Sequence, residues 1–281
     1  MIKMEEKDLI EKLNKARLSE INNETGKYYL KNALINCAVS KNSVKKPDFI
    51  HRYAAALSIA AVFAFTAVTI FVVDNMDDGD KFNKSGGVWS TYSDIHQGGN
   101  SYVWPPEFNT PGEGFIMSRP GYGNTGWAVR ITGTTGNNLG YNYNYIGVVV
   151  RFDNKSQCPQ CQGSDISKYN GIRFKIKGNT AGGSVYFILP HESNNCIKER
   201  MTCESLTNYA DYQKDITSFI GDDWNEVNIV FRDDLKQPEW AGRKYGADIE
   251  AVLKNVHLFK WQHKNGNGAA IEIWIDDVVL F

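Results

Sequence analysis

The sequence predicts an all-β outer domain over residues 74–281, an antiparallel β-sandwich, preceded by one transmembrane helix over 53–73 and a short helical cytoplasmic segment over 1–52. Three observations predict it. The run from Tyr53 to Val73 holds 21 residues without a charge. Beyond Val73, short stretches rich in β-branched and aromatic residues recur, and no long amphipathic helix separates them. Composition also changes at that boundary: all seven Trp, 24 of the 25 Gly and seven of the eight Pro follow Val73.

Residues 4–21 place Leu9, Leu13, Ala16 and Ile21 at helical spacing, and residues 27–39 do the same with Tyr29, Ala33, Leu34 and Cys37. Asn22, Asn23 and Gly26 break the chain between them. Two short amphipathic helices bury little by themselves. The segment is therefore either a frayed basic tail or a docking element for a cytoplasmic partner.

About 20 apolar residues are what a helix needs to cross the hydrocarbon core. The run 53–73 meets that length with only Ser58, Thr66 and Thr69 polar, besides the Tyr53 hydroxyl. Residues 1–52 carry 11 Lys/Arg against 7 Asp/Glu, and residues 74–281 carry 20 against 25. Lys45, Lys46 and Arg52 precede the run, while Asp74, Asp77, Asp78 and Asp80 follow it. The positive-inside rule places the N-terminus in the cytoplasm and residues 74–281 outside, at the cell membrane. A net charge of −1 over the whole chain gives no footing for nucleic-acid binding.

The strand candidates are 126–133, 145–152, 171–178, 184–190, 224–231, 255–261 and 270–281. Alternation is cleanest in 171–178, where Ile172, Phe174 and Ile176 take one face and Arg173, Lys175 and Lys177 the other. Ile271, Ile273 and Ile275 form a second apolar row. Without βαβ units, these strands pair antiparallel in a sandwich.

Four cysteines lie in two polar loops: Cys158 and Cys161 in C-P-Q-C, Cys196 and Cys203 six residues apart. In an exported domain they predict two disulfides. Three pairings can be drawn; local pairing is the simplest, and a four-thiolate zinc site is the rival reading.

The outer segment resembles galactose-binding-like carbohydrate-binding modules, close to family 11. The resemblance is carried by D-N-M-D-D-G-D (74–80), G-G-V-W-S-T-Y (86–92), G-G-N-S (98–101), D-I-S-K-Y-N-G-I-R-F-K-I-K-G (165–178), the segment 224–240 and I-W-I-D-D-V-V-L-F (273–281). It spans nearly all of 74–281 and none of 1–73. It implies a jelly-roll sandwich, and a polysaccharide ligand of plant or microbial glucan type. It also implies a structural calcium ion where first and last strands meet, at the positions of Asp77, Asp78 and Asp276.

Sugar rings need aromatic platforms and hydrogen-bonding side chains around them. The run G-Y-N-Y-N-Y puts Tyr141, Tyr143 and Tyr145 on one face if extended. Trp240 in a loop, Trp261 with Gln262 and His263 at a strand end, and Arg173 complete the candidate binding set. Acids are plentiful, including Asp165, Asp211, Asp215, Glu226 and Glu239, but none sits in a catalytic motif. The expected function is a membrane-anchored, non-catalytic polysaccharide-binding protein displayed outside a bacterial cell. Its alternatives are a polysaccharide sensor of anti-sigma-factor type, whose residues 1–52 bind a cytoplasmic sigma factor, and an envelope protein–protein interaction domain.

Overall fold

A computed structural model describes residues 69–107, 114–139, 143–152, 163–190, 210–241 and 247–281, with the backbone of 196–197 and 202–203. Residues 1–68 lie outside the described residues, and with them the predicted cytoplasmic helices and most of the predicted membrane span. Among the described residues, no helix is long and apolar enough to cross a membrane. Residues 68–281 form one compact unit.

The strands in chain order are β1 (Phe71–Asp74), β2 (Trp89–Ser93), β3 (Tyr102–Trp104), β4 (Val129–Thr134), β5 (Tyr145–Arg151), β6 (Gly171–Asn179), β7 (Ser184–Leu189), β8 (Cys196–Ile197), β9 (Thr202–Cys203), β10 (Tyr212–Asp215), β11 (Asn225–Val230), β12 (Leu258–Lys264) and β13 (Ala270–Leu280). Two short helices, α1 (Phe231–Asp234) and α2 (Ile249–Leu253), interrupt them late in the chain. A six-stranded sheet runs β11-β6-β13-β4-β3, with β1 also paired to β13. A five-stranded sheet runs β10-β7-β12-β5-β2. Pairing within both sheets is antiparallel throughout. The fold is thus an all-β, two-sheet sandwich. All seven strand candidates are strands, within a few residues of the expected ends.

The period of two decides what each strand buries. Ile172, Phe174 and Ile176 of β6 face the core, as do Ile271, Ile273 and Ile275 of β13 and Ile146, Val148 and Val150 of β5. Trp89 and Trp261 meet in the middle, with ring centroids 5.6 Å apart. Phe174, Phe187 and Phe259 close around them.

The β13 alternation breaks once. Buried Ile275 is followed by buried Val278 rather than a residue two along, so one extra residue is accommodated at Asp276-Asp277. The register against β6 shifts there, and Asp277 takes a left-handed φ of 49°. This is a β-bulge, a device that re-aims side chains at the edge of a ladder.

One boundary differs from expectation. Phe71, Val72 and Val73 end the uncharged run, yet they belong to the sandwich: in β1, Phe71 pairs with Leu280, Val72 with Val279 and Asp74 with Val278 of β13, the register shifting at Val73. An apolar run carries no period of its own. A β-branched and aromatic F-V-V therefore reads equally well as a helix end or a buried strand. The sandwich starts at Phe71, not Asp74, and the uncharged residues ahead of β1 are 53–70.

Candidate functional site

The outward face of the five-stranded sheet gathers the side chains best suited to a ligand. Where Val185, Phe187 and Leu189 of β7 point inward, Tyr186 points out. By the same rule Tyr92 of β2, Tyr145 and Gly147 of β5, and Lys260, Gln262 and Lys264 of β12 share that outer face. Register then fixes a row across four strands: Tyr92 opposite Gly147, Gly147 opposite Gln262, Gln262 opposite Tyr186. Asp215 of β10 extends it beyond Tyr186.

Gly147 shapes the row. A Cβ there would lie 2.6 Å from Cε1 and Cζ of the Tyr92 ring. The absent side chain lets that ring lie across the sheet instead of standing off it. The Tyr92 hydroxyl then donates to Gln262 Oε1 at 2.9 Å. Tyr145 packs beside it, with ring centroids 5.7 Å apart. Asp94, fully buried, holds this end of β5: its Oδ2 accepts from Tyr145 N at 3.1 Å and from Ser101 Oγ at 2.6 Å.

The lysines on β12 lean on these rings. Lys260 Nζ lies 5.6 Å from the Tyr92 ring centroid, and Lys264 Nζ 5.0 Å from that of Tyr186. Burial pushes the Lys264 ammonium below its ordinary range; nearby Lys260 adds to this, while Asp211 opposes it.

At the β10 edge a Trp stands exposed. Trp240 sits on the turn Glu239–Ala241 and is 60% exposed. Gln237 ties this loop to the sheet: its Nε2 donates to Ala210 O at 2.6 Å, and its Oε1 accepts from Ala247 N at 2.9 Å. Lys236 and Gln213 exchange backbone hydrogen bonds beside it. Tyr143, 68% exposed, lies two residues ahead of β5.

The predicted binding residues therefore separate. Tyr145 and Gln262 lie on this face, Tyr143 and Trp240 are exposed near its strand ends, and Tyr141 lies outside the described residues. Trp261 and His263 are corrections. On a strand, the neighbours of an outward Gln262 must point inward, and both are fully buried. Trp261 packs in the aromatic core, edge-on to Phe174 at 5.3 Å. His263 Nε2 donates to Thr180 O at 2.8 Å, which leaves Nδ1 as a buried acceptor without a partner. Burial holds its pKa below the usual histidine value. Arg173 falls on the outer face of the other sheet, in a hollow with Lys175, Glu226 and Asp277, and does not join the tyrosines. Sequence reasoning missed Tyr92, Tyr186, Lys260 and Lys264. The signal was present in V-Y-F and K-W-Q-H-K, where alternation alone assigns the outward positions.

The acids named for calcium meet the β13 bulge in part. Asp276 is buried and accepts from Tyr122 N and Asp277 N, both at 2.7 Å. Burial, with Asp277 and Asp77 nearby, raises its pKa to about 6. Asp77 is held by Asn75 Nδ2 at 2.6 Å, and Asn75 Oδ1 is buried without a partner. Asp78 is instead bonded to Lys84 at 3.0 Å. Among the described residues no three His, Cys, Asp or Glu side chains group tightly enough to hold a metal. Two carboxylates plus amide or carbonyl oxygens are what the bulge offers a hard cation.

Cys158 and Cys161 lie outside the described residues. The backbones of Cys196 and Cys203 are register partners in the β8–β9 hairpin.

No protein-family model matches this chain, nor does any curated protein. Among solved structures, the chain is similar to the family 11 carbohydrate-binding module from Clostridium thermocellum in complex with a β-1,3-1,4-mixed-linked tetrasaccharide. Identity is 17%, covering 77% of this chain and 97% of that one, with a TM-score of 0.46. It is similar to the family 30 module of the cellulosomal cellulase Cel9D-Cel44B of the same organism at 15% identity, covering 65% and 90%, with a TM-score of 0.39. A β-1,2-glucanase from Parabacteroides distasonis matches at 11% identity over 75% of this chain and 25% of its own, with a TM-score of 0.42.

Proposed function

We propose that this chain is a non-catalytic carbohydrate-binding protein that takes a polysaccharide across the outer face of its five-stranded sheet. The observation that carries the reading is the cross-strand row Tyr92–Gly147–Gln262–Tyr186. Two aromatic rings flank an amide, and a glycine lets one ring lie along the sheet. That combination offers the C–H face of a sugar an apolar surface and its hydroxyl rim both donors and acceptors. With Asp215 the row crosses the whole sheet, from Tyr92 on edge strand β2 to edge strand β10. It therefore suits a chain of sugars lying across the strands better than a small molecule in a pocket.

In the same proposal the domain is anchored at a bacterial cell membrane through the uncharged residues ahead of β1, with the N-terminus cytoplasmic. The length and flanking charges of that run support this. A calcium ion bound by Asp77 and Asp276, with Asn75 Oδ1, would brace the junction of β1 and β13.

Affinity electrophoresis of the full chain in mild detergent, through gels containing soluble polysaccharides, tests the function. Retardation by at least one polymer, lost in Tyr92→Ala, is expected. A folded protein that no polysaccharide retards would refute sugar binding and favour a protein partner.

A further inference from the structure

The binding face carries more positive charge than a neutral sugar uses. Lys260 and Lys264 stand on either side of Gln262 on one strand, and both side chains project onto the face of Tyr92 and Tyr186. Lys260 is only 9% exposed although it points away from the core. Among the described residues neither ammonium forms an ion pair with a carboxylate. Each touches a tyrosine ring instead, which stabilises a cation far less than a carboxylate does.

The acids nearby are already engaged or too few. Asp215 is turned onto Thr217, accepting from its N at 2.9 Å and its Oγ1 at 2.5 Å. Asp211 is the carboxylate that acts on Lys264, and it is one charge against two. A lysine held near-buried beside a second lysine is costly unless an anion arrives to share it.

Resting on the carbohydrate-binding reading, we propose that the polysaccharide is an acidic one, whose uronic-acid carboxylates sit between Lys260 and Lys264 while its ring faces lie on Tyr92 and Tyr186. The geometry suits this division of work. The two lysines flank Gln262 along β12, the middle strand of the sheet, and the two rings lie to either side of it on β2 and β7, so ring face and charged substituent are met together. Sulfate esters would satisfy charge alone. The planar carboxylate of a uronate also leaves an edge for the Gln262 amide.

The test uses the full chain in mild detergent and three soluble polymers. They are polygalacturonate, the same polymer after reduction of its carboxyl groups, and dextran sulfate. Polygalacturonate is expected to bind about ten to a hundred times more tightly than its reduced form, the span of one or two charge-assisted hydrogen bonds. Lys260→Met with Lys264→Met should erase that difference, and the double Arg variant should keep most of it. Circular dichroism checks that each variant is folded. Equal binding of the reduced polymer would overturn the acidic-ligand proposal and leave the carbohydrate reading standing. Equal binding of dextran sulfate would overturn it in favour of a general polyanion surface. Binding of no polymer by the folded chain would overturn both.

Discussion

Trp89 and Trp261 should respond very differently to the same substitution. Both indoles are fully buried and their centroids are 5.6 Å apart, so replacing either with Phe removes the same atoms from the same region. Lost packing alone costs about 1–2 kcal/mol, a fraction of the larger cost of Trp→Ala. Their N–H groups differ. Trp89 Nε1 donates to buried Asp74 Oδ2 at 2.8 Å. Asp74 already has its pKa raised by burial, against which Met76 N and Trp89 Nε1 pull. Trp89→Phe strips one of those donors, adding about 1.5–3 kcal/mol. Trp261 Nε1 is buried with no partner. Its removal relieves an unsatisfied donor worth about 1–3 kcal/mol, which offsets the lost packing. Trp89→Phe should therefore destabilise by about 2.5–5 kcal/mol and Trp261→Phe by close to zero. Urea unfolding of residues 68–281 at pH 7.5, followed by far-UV circular dichroism, reads the difference. Trp261→Phe should also leave polysaccharide retention unchanged. Equal destabilisation by the two variants, or loss of retention in folded Trp261→Phe, would refute the assignment of Trp261 to the core.

The remaining expectations concern the site, a buried imidazole and the bulge. Tyr92→Ala should weaken polysaccharide binding about tenfold or more, while Tyr92→Phe, which keeps the ring and loses only the bond to Gln262 Oε1, should weaken it only a few-fold by titration calorimetry. His263 is neutral in the folded state, its pKa lowered by burial. Its contribution is therefore full above the unfolded value of about 6.5 and declines as pH falls below it, because only the unfolded chain takes the proton there. The urea midpoint of the wild type should drop from pH 7.5 to 5.5 by more than that of His263→Gln. Chelation should lower the wild-type melting temperature by several degrees if a calcium ion braces the bulge, where about 1 kcal/mol corresponds to roughly 2–4 °C for a domain of this size. Asp77→Asn should melt at the same temperature with and without chelator; a wild type indifferent to both would exclude the ion.

Strand positions were legible because alternation survives in single segments. Ile172, Phe174 and Ile176 announce both a strand and its buried face, and the structure places them so. The site was legible only in part, for a related reason. Trp261, Gln262 and His263 are consecutive, and a strand cannot present three consecutive side chains to one ligand. Applying the period would have kept Gln262, rejected its neighbours and pointed to Lys260 and Lys264. Arg173 was assigned the correct face of its strand, but which sheet that strand joins is a matter of pairing, and no local pattern carries it. Tyr186 and Tyr92 become neighbours of Gln262 only through the register of β2, β5, β12 and β7, which links residues up to 170 positions apart. β1 was hidden because F-V-V follows an uncharged run and shares its composition.

The place of β13 governs how the sandwich can be assembled. Residues 270–280 hold the middle of the six-stranded sheet and hydrogen-bond to β1, β4 and β6, which lie tens to hundreds of residues earlier. Until that strand leaves the ribosome, β4 can pair only with β3 and β6 only with β11, so the two halves of the six-stranded sheet stay unjoined. Single pairs and the five-stranded sheet can form earlier, but the six-stranded sheet cannot close during synthesis before β13 is made. The chain must be kept open until its last strand is available and then close around it, a slow search dominated by distant contacts. If the domain is displayed outside a membrane, as proposed, this order is useful. Translocation through a narrow channel requires an unfolded chain, and here the sequence withholds the keystone of the sheet until the rest has passed.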